Sequence, residues 1–233
     1  MSDRPVWATP QLWWRTVIVI AGMAGLLLGN PQIAYYTTQS NLITVGYFAC
    51  CLYAMVRRGS TEPAAPRVRG AITLCIMITC LVAHFLLNHG ANPLPGLVVA
   101  DLAEATTNRG IFLLHYVVPL MVLADWLAFG PHRVSPWRDL PLWLILPLGY
   151  GFTSIARAVL APTVPYRYPY FFLDPTTHGY GWVALQMVQL AVEFTVLGAL
   201  LLALDRLVAR VTTGSEPAPV SAGAEPGQVR RPG

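Results

Sequence analysis

Six long apolar stretches, each bounded by proline, glycine or charge, limit how this chain can fold more than any other feature. They lie at about 12–29, 40–56, 71–88, 111–129, 140–160 and 180–208. A helix needs about 20 apolar residues to span a bilayer. Only 11% of the residues are charged, against roughly 25% in soluble domains. The pattern predicts an all-α polytopic membrane protein, with a bundle of about six transmembrane helices in residues 1–210.

The arginines are concentrated on one side of the predicted bundle. Twelve of the 15 precede the first stretch, follow the last one, or lie in the second and fourth connections. Because arginine is enriched on the cytoplasmic side of membranes, we expect both termini to be cytoplasmic. The connections at 30–39, 89–110 and 159–179 then face outward, and the Pro- and Ala-rich residues 211–233 form a disordered cytoplasmic tail. The absence of lysine beside abundant Ala, Gly and Pro favours a bacterial plasma membrane.

Several classes of protein are excluded by charge and cysteine usage. The net charge of +4 comes from arginines at the ends of apolar stretches, not from a basic patch interleaved with aromatics, so nucleic acid is not an expected partner. The four cysteines lie inside apolar stretches without a CxxC pair, which is typical of packing residues. No metal and no cofactor is predicted.

Two outward connections carry distinctive residues. The third contains Asp101, Glu104 and Arg109 among apolar residues, which predicts a short amphipathic segment in the membrane interface, able to act as a lid. The fifth, at 165–175, is rich in aromatic residues and prolines. This composition suits the headgroup layer and prevents a continuous helix.

Polar side chains interrupt the apolar stretches, mostly toward the predicted outer end. Because a polar group in hydrocarbon is costly, each needs an internal partner and is a candidate for function. On the third, fifth and sixth stretches they share a helical face. The residues are Cys80, His84 and Asn88; Tyr150, Thr153, Ser154 and Arg157; and Gln186, Gln189 and Glu193.

His115 and the start of the second stretch, Tyr36-Thr-Thr-Gln-Ser-Asn-Leu42, are predicted to lie at the same membrane level. Pro119 has no amide hydrogen for the carbonyl of residue 115, so we expect a kink and a free carbonyl beside the imidazole. A hydroxyl and an imidazole in contact are the minimum for nucleophilic catalysis. Asn41, Asn88 and Arg157 are candidate holders of an oxyanion or a carboxylate.

Simpler roles explain the same residues. Thr37, Thr38 or Ser40 can cap the second helix, and His84 and His115 can hydrogen-bond between helices as structural residues.

The remaining charged and histidine side chains are interpreted by their depth in the predicted bundle. Asp125 is expected to pair with an arginine near the cytoplasmic end. His132 and His178, in connections, are expected to be solvated. Glu193 lies deep in the last stretch without an obvious cation, which favours a transport function.

Three segments of the chain resemble a known family. Tyr36-Thr-Thr-Gln-Ser-Asn41, His115-Tyr-Val-Val-Pro119 and Tyr168-Pro-Tyr-Phe-Phe-Leu173 resemble the bacterial six-helix Pr-six-Pr membrane proteins. In the same order they look like the androgen-induced-gene and androgen-dependent TFPI-regulating family, membrane threonine hydrolases of fatty acid esters of hydroxy fatty acids. The resemblance implies that Thr37, or the adjacent Thr38, is the nucleophile and that His115 is its partner.

Two hypotheses follow from the residues and the resemblance. The first is a membrane-embedded hydrolase of lipid-like fatty acid esters, with Thr37 and His115 near the outer face. A lipid or amphiphilic ester is its partner, and the candidate substrate-binding or oxyanion-binding residues are Asn41, His84, Asn88, Arg157 and Gln186. The alternative is a small proton-coupled transporter or a lipid-binding membrane protein without catalysis, in which Glu193 is the proton site.

Overall fold

The computed structural model describes residues 5–213 and confirms the all-α fold. Six of its helices are long and apolar enough to cross a membrane. They are α1 (Pro10–Leu28), α2 (Tyr36–Arg58), α3 (Pro66–Leu87), α4 (Leu102–Ala128), α5 (Trp137–Leu160) and α6 (Gly179–Thr213). Most of the predicted tail lies outside the described residues.

Proline and glycine determine several of the helix boundaries. Pro10 and Pro66 occupy the first turns of α1 and α3, where a missing amide hydrogen costs nothing. α2 ends at Gly59, whose φ of 62° lies in the left-handed region that glycine adopts without steric cost. At its other end α2 begins at Tyr36, so the Tyr-Thr-Thr-Gln-Ser-Asn segment forms its first turns.

α4 begins well before the predicted start at residue 111. The Asp101 carboxylate accepts hydrogen bonds from the amides of Ala103 at 2.7 Å and Glu104 at 3.0 Å, which caps the helix. Glu104 and Arg109 therefore lie in the first turns of α4. The prediction of a separate interfacial lid at this segment was wrong, because the aspartate cap allows the helix to start early.

Both α3 and α4 contain a π-helical segment, at Val82–Leu87 and Leu113–Val117. The α4 segment directly precedes Pro119, and its wider turn is one way to absorb the missing proline amide. The predicted irregularity at this proline is therefore present as a π-helical turn. π-helical segments are frequent at functional sites.

Glycines bring the backbones of α1 and α4 into direct contact. A Cβ added at Gly110 would lie 2.2 Å from the Gly29 nitrogen, and one at Gly25 would lie 2.6 Å from the Leu114 side chain. No larger residue fits at Gly110 unless the two backbones separate. This contact fixes the position of the α4 segment that carries His115.

A buried charge cluster joins α1, α3 and α4 at the end of the bundle where α1 begins, called here the arginine end. Asp125 pairs with Arg15 at 3.0 Å and with Arg69 at 3.0 Å, and the three side chains are at most 2% exposed. Arg15 also donates to the Thr61 carbonyl at 3.0 Å, and Arg69 to the Gly130 carbonyl at 3.2 Å. The predicted pairing of Asp125 with arginine is confirmed.

His132 is not solvated as predicted from its place in a connection. Its Nδ1 lies 2.9 Å from an Asp205 carboxylate oxygen, and the carboxylate also accepts the Arg133 amide at 2.7 Å. The His132 side chain is only 14% exposed. The pair attaches the connection before α5 to α6.

Candidate functional site

The hydroxyl of Thr37 lies against the imidazole of His115 at the opposite end of the bundle, called here the site end. Thr37 Oγ1 and His115 Nε2 are 3.1 Å apart. The two residues are 78 positions apart in sequence, so the contact is made by the packing of α2 against the π-helical segment of α4. Both side chains are half-buried.

The second ring nitrogen of His115 determines which tautomer faces Thr37. His115 Nδ1 lies 2.9 Å from the carbonyl oxygen of Ile111, one turn earlier in α4. A carbonyl accepts only, so Nδ1 carries the hydrogen and Nε2 presents a lone pair in the neutral ring. The geometry therefore orients the imidazole as a proton acceptor for the Thr37 hydroxyl.

Asn41 connects the two helices that carry this pair. Its side-chain nitrogen donates to the Thr37 carbonyl at 2.9 Å and to the Leu114 carbonyl at 3.3 Å. In a regular α-helix the Leu114 carbonyl would accept the Val118 amide, but that amide bonds the Leu113 carbonyl instead. The next residue, Pro119, has no amide hydrogen. The carbonyl bonded across the helices is thus that of Leu114, not of residue 115 as predicted.

Asn41 is consequently unsuited to the predicted role of oxyanion holder. Both of its amide hydrogens are committed to carbonyls, and the side chain is fully buried. It instead holds α2 and α4 in register and thereby sets the Thr37–His115 distance.

The hydroxyls at the start of α2 do not cap the helix. The N-cap is Tyr35, whose side chain provides no capping hydrogen bond. Ser40 Oγ bonds Thr79 Oγ1 at 2.7 Å, while Thr38 is buried without a bond to His115. Thr37, not the alternative Thr38, is the residue in contact with the imidazole.

Tyr170, from the connection between α5 and α6, completes the surroundings of Thr37. Its ring is buried, stacks on Phe172 at 5.1 Å, and meets Tyr35 edge-on at 5.6 Å. Its hydroxyl lies near the Thr37 side chain and the first residues of α2. Burial raises the pKa of Tyr170, so the phenol keeps its hydrogen at neutral pH.

The amides near Tyr170 belong to the N-terminus of α2. The first amides of a helix have no partner within it and carry a partial positive charge. The N-cap residue Tyr35 provides no side-chain cap, so these amides and the Tyr170 hydroxyl are the donors beside Thr37. Such donors are suited to an oxygen that becomes negative during a reaction.

Two cavities meet at Thr37. The larger, called here the vestibule, has a volume of about 350 Å³ and includes Asn30, Gln32 and His115 in its lining. The smaller, called here the slot, has a volume of about 40 Å³ and extends between α3, α5 and α6. Thr37, Leu87 and Tyr170 line both cavities.

His84 and Asn88 form a second polar group around Tyr116. The Tyr116 hydroxyl lies 3.3 Å from His84 Nδ1 and accepts a 3.5 Å hydrogen bond from Asn88. Asn88, Tyr116 and His115 line a cavity of about 430 Å³ that adjoins the vestibule. His84 and Asn88 therefore lie near His115 without contacting Thr37.

Arg157 lies outside the cavities around Thr37. Its guanidinium donates to the carbonyls of Pro165 at 3.3 Å, Tyr166 at 2.5 Å and Arg167 at 3.4 Å. These bonds shape the connection that carries Tyr170, so Arg157 is a structural residue of the loop and not the predicted carboxylate holder.

Gln186 and Glu193 also lie apart from Thr37. They line a groove of about 260 Å³ between α3 and α6, together with Gln189, which donates to Glu193 at 2.9 Å. Glu193 is exposed in this groove, although its position in the sequence suggested a deep site.

Neither known proteins nor a metal centre identifies this site. No protein-family model, curated protein or solved structure matches this chain. Within residues 5–213, no three His, Cys, Asp or Glu side chains are grouped closely enough to hold a metal ion. The side chains around Thr37 are therefore the basis for assigning a chemistry.

Tyr170 is the functional candidate that the sequence did not single out. It is one of several aromatics in the 165–175 connection, all of which suit the headgroup layer equally well. The residues flanking it gave one usable signal, since prolines at 165 and 169 prevent a helix and allow one ring to turn inward.

Proposed function

We propose that this protein is a membrane-embedded hydrolase of lipid-like fatty acid esters, with Thr37 as nucleophile and His115 as general base. The observation that carries the proposal is the 3.1 Å contact between Thr37 Oγ1 and a His115 Nε2 whose partner nitrogen is bonded to the Ile111 carbonyl. A hydroxyl is inert at neutral pH until a base accepts its proton, and this pair supplies hydroxyl and base together. Hydrolysis of long-chain p-nitrophenyl esters by purified protein tests the proposal.

The first half-reaction transfers the acyl group to Thr37. Its Oγ1 attacks the ester carbonyl carbon while His115 Nε2 takes the hydroxyl proton. When the tetrahedral intermediate collapses, the bond to the alcohol oxygen breaks and Nε2–H protonates the leaving alcohol. An acyl-threonine ester and a neutral imidazole remain.

The second half-reaction restores the enzyme. His115 Nε2 takes a proton from a water molecule in the vestibule, and the hydroxide attacks the acyl-threonine carbonyl. The intermediate expels the Thr37 oxygen, which receives the proton from Nε2, and the free acid leaves. The Ile111 carbonyl stabilises the imidazolium formed in each step by accepting Nδ1–H.

Negative charge on the carbonyl oxygen requires donors close to Thr37. The Tyr170 hydroxyl and the first amides of α2 are the groups in reach. Donors fixed before the reaction cost no reorganisation, which is why removing one typically slows catalysis strongly.

The proposed setting is the outer leaflet of a bacterial plasma membrane, with both termini cytoplasmic. The arginine distribution supports this orientation, since the buried Arg15–Asp125–Arg69 cluster is at the opposite end from Thr37. The resemblance to the membrane threonine hydrolases supports the same pair of reacting residues, Thr37 and His115.

Removal of the Tyr170 hydroxyl is expected to slow ester hydrolysis. Tyr170→Phe keeps the ring contacts with Phe172 and Tyr35 but removes the donor, so kcat falls about 10²-fold. KM should change little, because the interaction strengthens only in the transition state. Steady-state kinetics measure both values, with Tyr166→Phe, exposed in the same connection, as control. Unchanged kcat in Tyr170→Phe would remove this residue from the mechanism.

Loss of the Asn41 link is expected to separate Thr37 from His115. Asn41→Leu keeps the branched shape of the side chain but leaves the Leu114 carbonyl unsatisfied, so kcat falls about 10²-fold through misplacement of the reacting atoms. Because Asn41 is a positioning residue, KM for a short ester should stay within about twofold. Gln39→Leu, two residues away, is the control. A rise in KM at constant kcat contradicts the positioning role.

A second candidate function is lipid binding or proton-coupled transport without catalysis. The groove with Gln186, Gln189 and Glu193 between α3 and α6 favours it, because polar side chains facing such a groove can hold a lipid headgroup or a proton. The cavities around Thr37 favour hydrolysis, since neither function of the groove requires the oriented Thr37–His115 pair.

A further inference from the structure

The slot differs from the vestibule in the chemistry of its lining. Most of its side chains are apolar, and three of its hydroxyls are already bonded within the protein. Tyr36 donates to the Cys75 carbonyl at 3.3 Å, Tyr150 to the Ala34 carbonyl at 2.8 Å, and Thr79 bonds Ser40 at 2.7 Å. Among the hydroxyl-bearing side chains that line the slot, only Thr37 and Tyr170 also line the vestibule, so both lie where the two cavities meet.

The slot is also small. Its volume is about 40 Å³, against about 350 Å³ for the vestibule. The smaller space favours a single unbranched chain over a branched chain or two chains side by side.

The far end of the slot continues into the groove between α3 and α6. Ile78, Val82, Leu190 and Phe194 line both spaces, and the groove has a volume of about 260 Å³. Because the outer surfaces of these helices face lipid in a membrane protein, a chain longer than the slot can continue along the apolar α3 side of the groove.

We infer that the slot is the acyl-chain subsite, that it accepts a single unbranched chain, and that the alcohol part of the ester occupies the vestibule. This inference rests on the proposed function for the position of the ester bond at Thr37. The apolar slot favours the hydrocarbon, whereas Asn30, Gln32 and His115 in the vestibule suit the alcohol and the hydrolytic water. The α5 and α6 residues that line the slot then determine which acyl chains the protein accepts.

Two glycines on α5 provide a matched test. A Cβ at Gly151 would lie 2.5 Å from the Met187 Cε, and both residues line the slot. A Cβ at Gly149 meets nothing within 4 Å. Gly151→Val therefore narrows the slot, Gly149→Val makes the identical change outside it, and Met187→Ala widens it.

The first readout needs no turnover. Purified protein is irradiated with a fatty acid that carries a terminal diazirine, and the modified peptides are identified by mass spectrometry. We expect modification of the α3 and α6 residues that line the slot and groove, reduced at least about tenfold in Gly151→Val but not in Gly149→Val. Equal modification in the two variants, or labels spread over all the helices, overturns the inference.

The second readout is the kcat/KM ratio for dodecanoyl over butanoyl p-nitrophenyl esters. We expect Gly151→Val to lower this ratio about tenfold and Met187→Ala to raise it, with Gly149→Val unchanged. Slot labelling without any hydrolysis would retain the subsite and reject the proposed function. Hydrolysis with the same ratio in all variants would retain the function and reject the subsite.

Discussion

Thr37→Ala and His115→Ala are each expected to lower kcat for ester hydrolysis on the order of 10⁴-fold. The alanine at 37 removes the atom that accepts the acyl group, and the alanine at 115 removes the base that the 3.1 Å contact provides. Both side chains are half-buried at the site end, so the variants should fold. Steady-state kinetics at matched thermal stability give the measurement.

Two controls distinguish this pair from a general effect on the site. Thr38→Ala alters the neighbouring hydroxyl, which has no bond to His115, and should keep kcat within about threefold. The double variant Thr37→Ala/His115→Ala should be no slower than either single variant, because residues that act as a unit are not additive. A fully active Thr37→Ala contradicts the proposed nucleophile.

Asp125→Asn is expected to be the most destabilising change outside the site. It leaves Arg15 and Arg69, both at most 2% exposed, without their anion. Breaking a buried ion pair in this way costs about 3–5 kcal/mol of the free energy of unfolding. Denaturant unfolding of the protein in detergent micelles measures this loss.

The control for Asp125 is a second ion pair at the arginine end. Arg67 pairs with Asp139, and the Arg67 side chain is 56% exposed, so Asp139→Asn leaves a solvated cation and should cause a much smaller loss. If Asp125→Asn and Asp139→Asn lower the free energy of unfolding equally, the buried cluster is not the main electrostatic support of the bundle.

Much of the fold was predictable from the sequence because an apolar stretch in hydrocarbon must satisfy its own backbone hydrogen bonds, which an α-helix does. The six stretches correspond to the six helices, and the buried pairing of Asp125 followed from the cost of a lone charge. The early start of α4 was not predicted, since a cap such as Asp101 can extend a helix through a polar segment that hydropathy assigns to a loop.

The contact at the candidate site was predictable in its residue types but its surroundings were not. The sequence placed a hydroxyl at the start of α2 and the His115 imidazole at one membrane level, the family resemblance singled out Thr37, and the structure brings Thr37 and His115 within 3.1 Å. The roles of Asn41 and Arg157 depend on which carbonyls they reach, and Leu114 became available only through the π-helical register before Pro119. The nearby prolines indicate that the backbone is irregular at these places, but the register and the inward turn of Tyr170 are set by tertiary packing.

The most direct test of the proposed chemistry is labelling of the purified wild-type protein by a fluorophosphonate, followed by mass spectrometry of the modified peptide. Such a probe forms a stable bond with an activated hydroxyl, so it reports the nucleophile without knowledge of the natural ester. We predict a single adduct on Thr37 that is lost in Thr37→Ala and His115→Ala and kept in Thr38→Ala. A folded wild-type protein that stays unlabelled, or an adduct on another residue that survives His115→Ala, would contradict a threonine hydrolase and favour lipid binding.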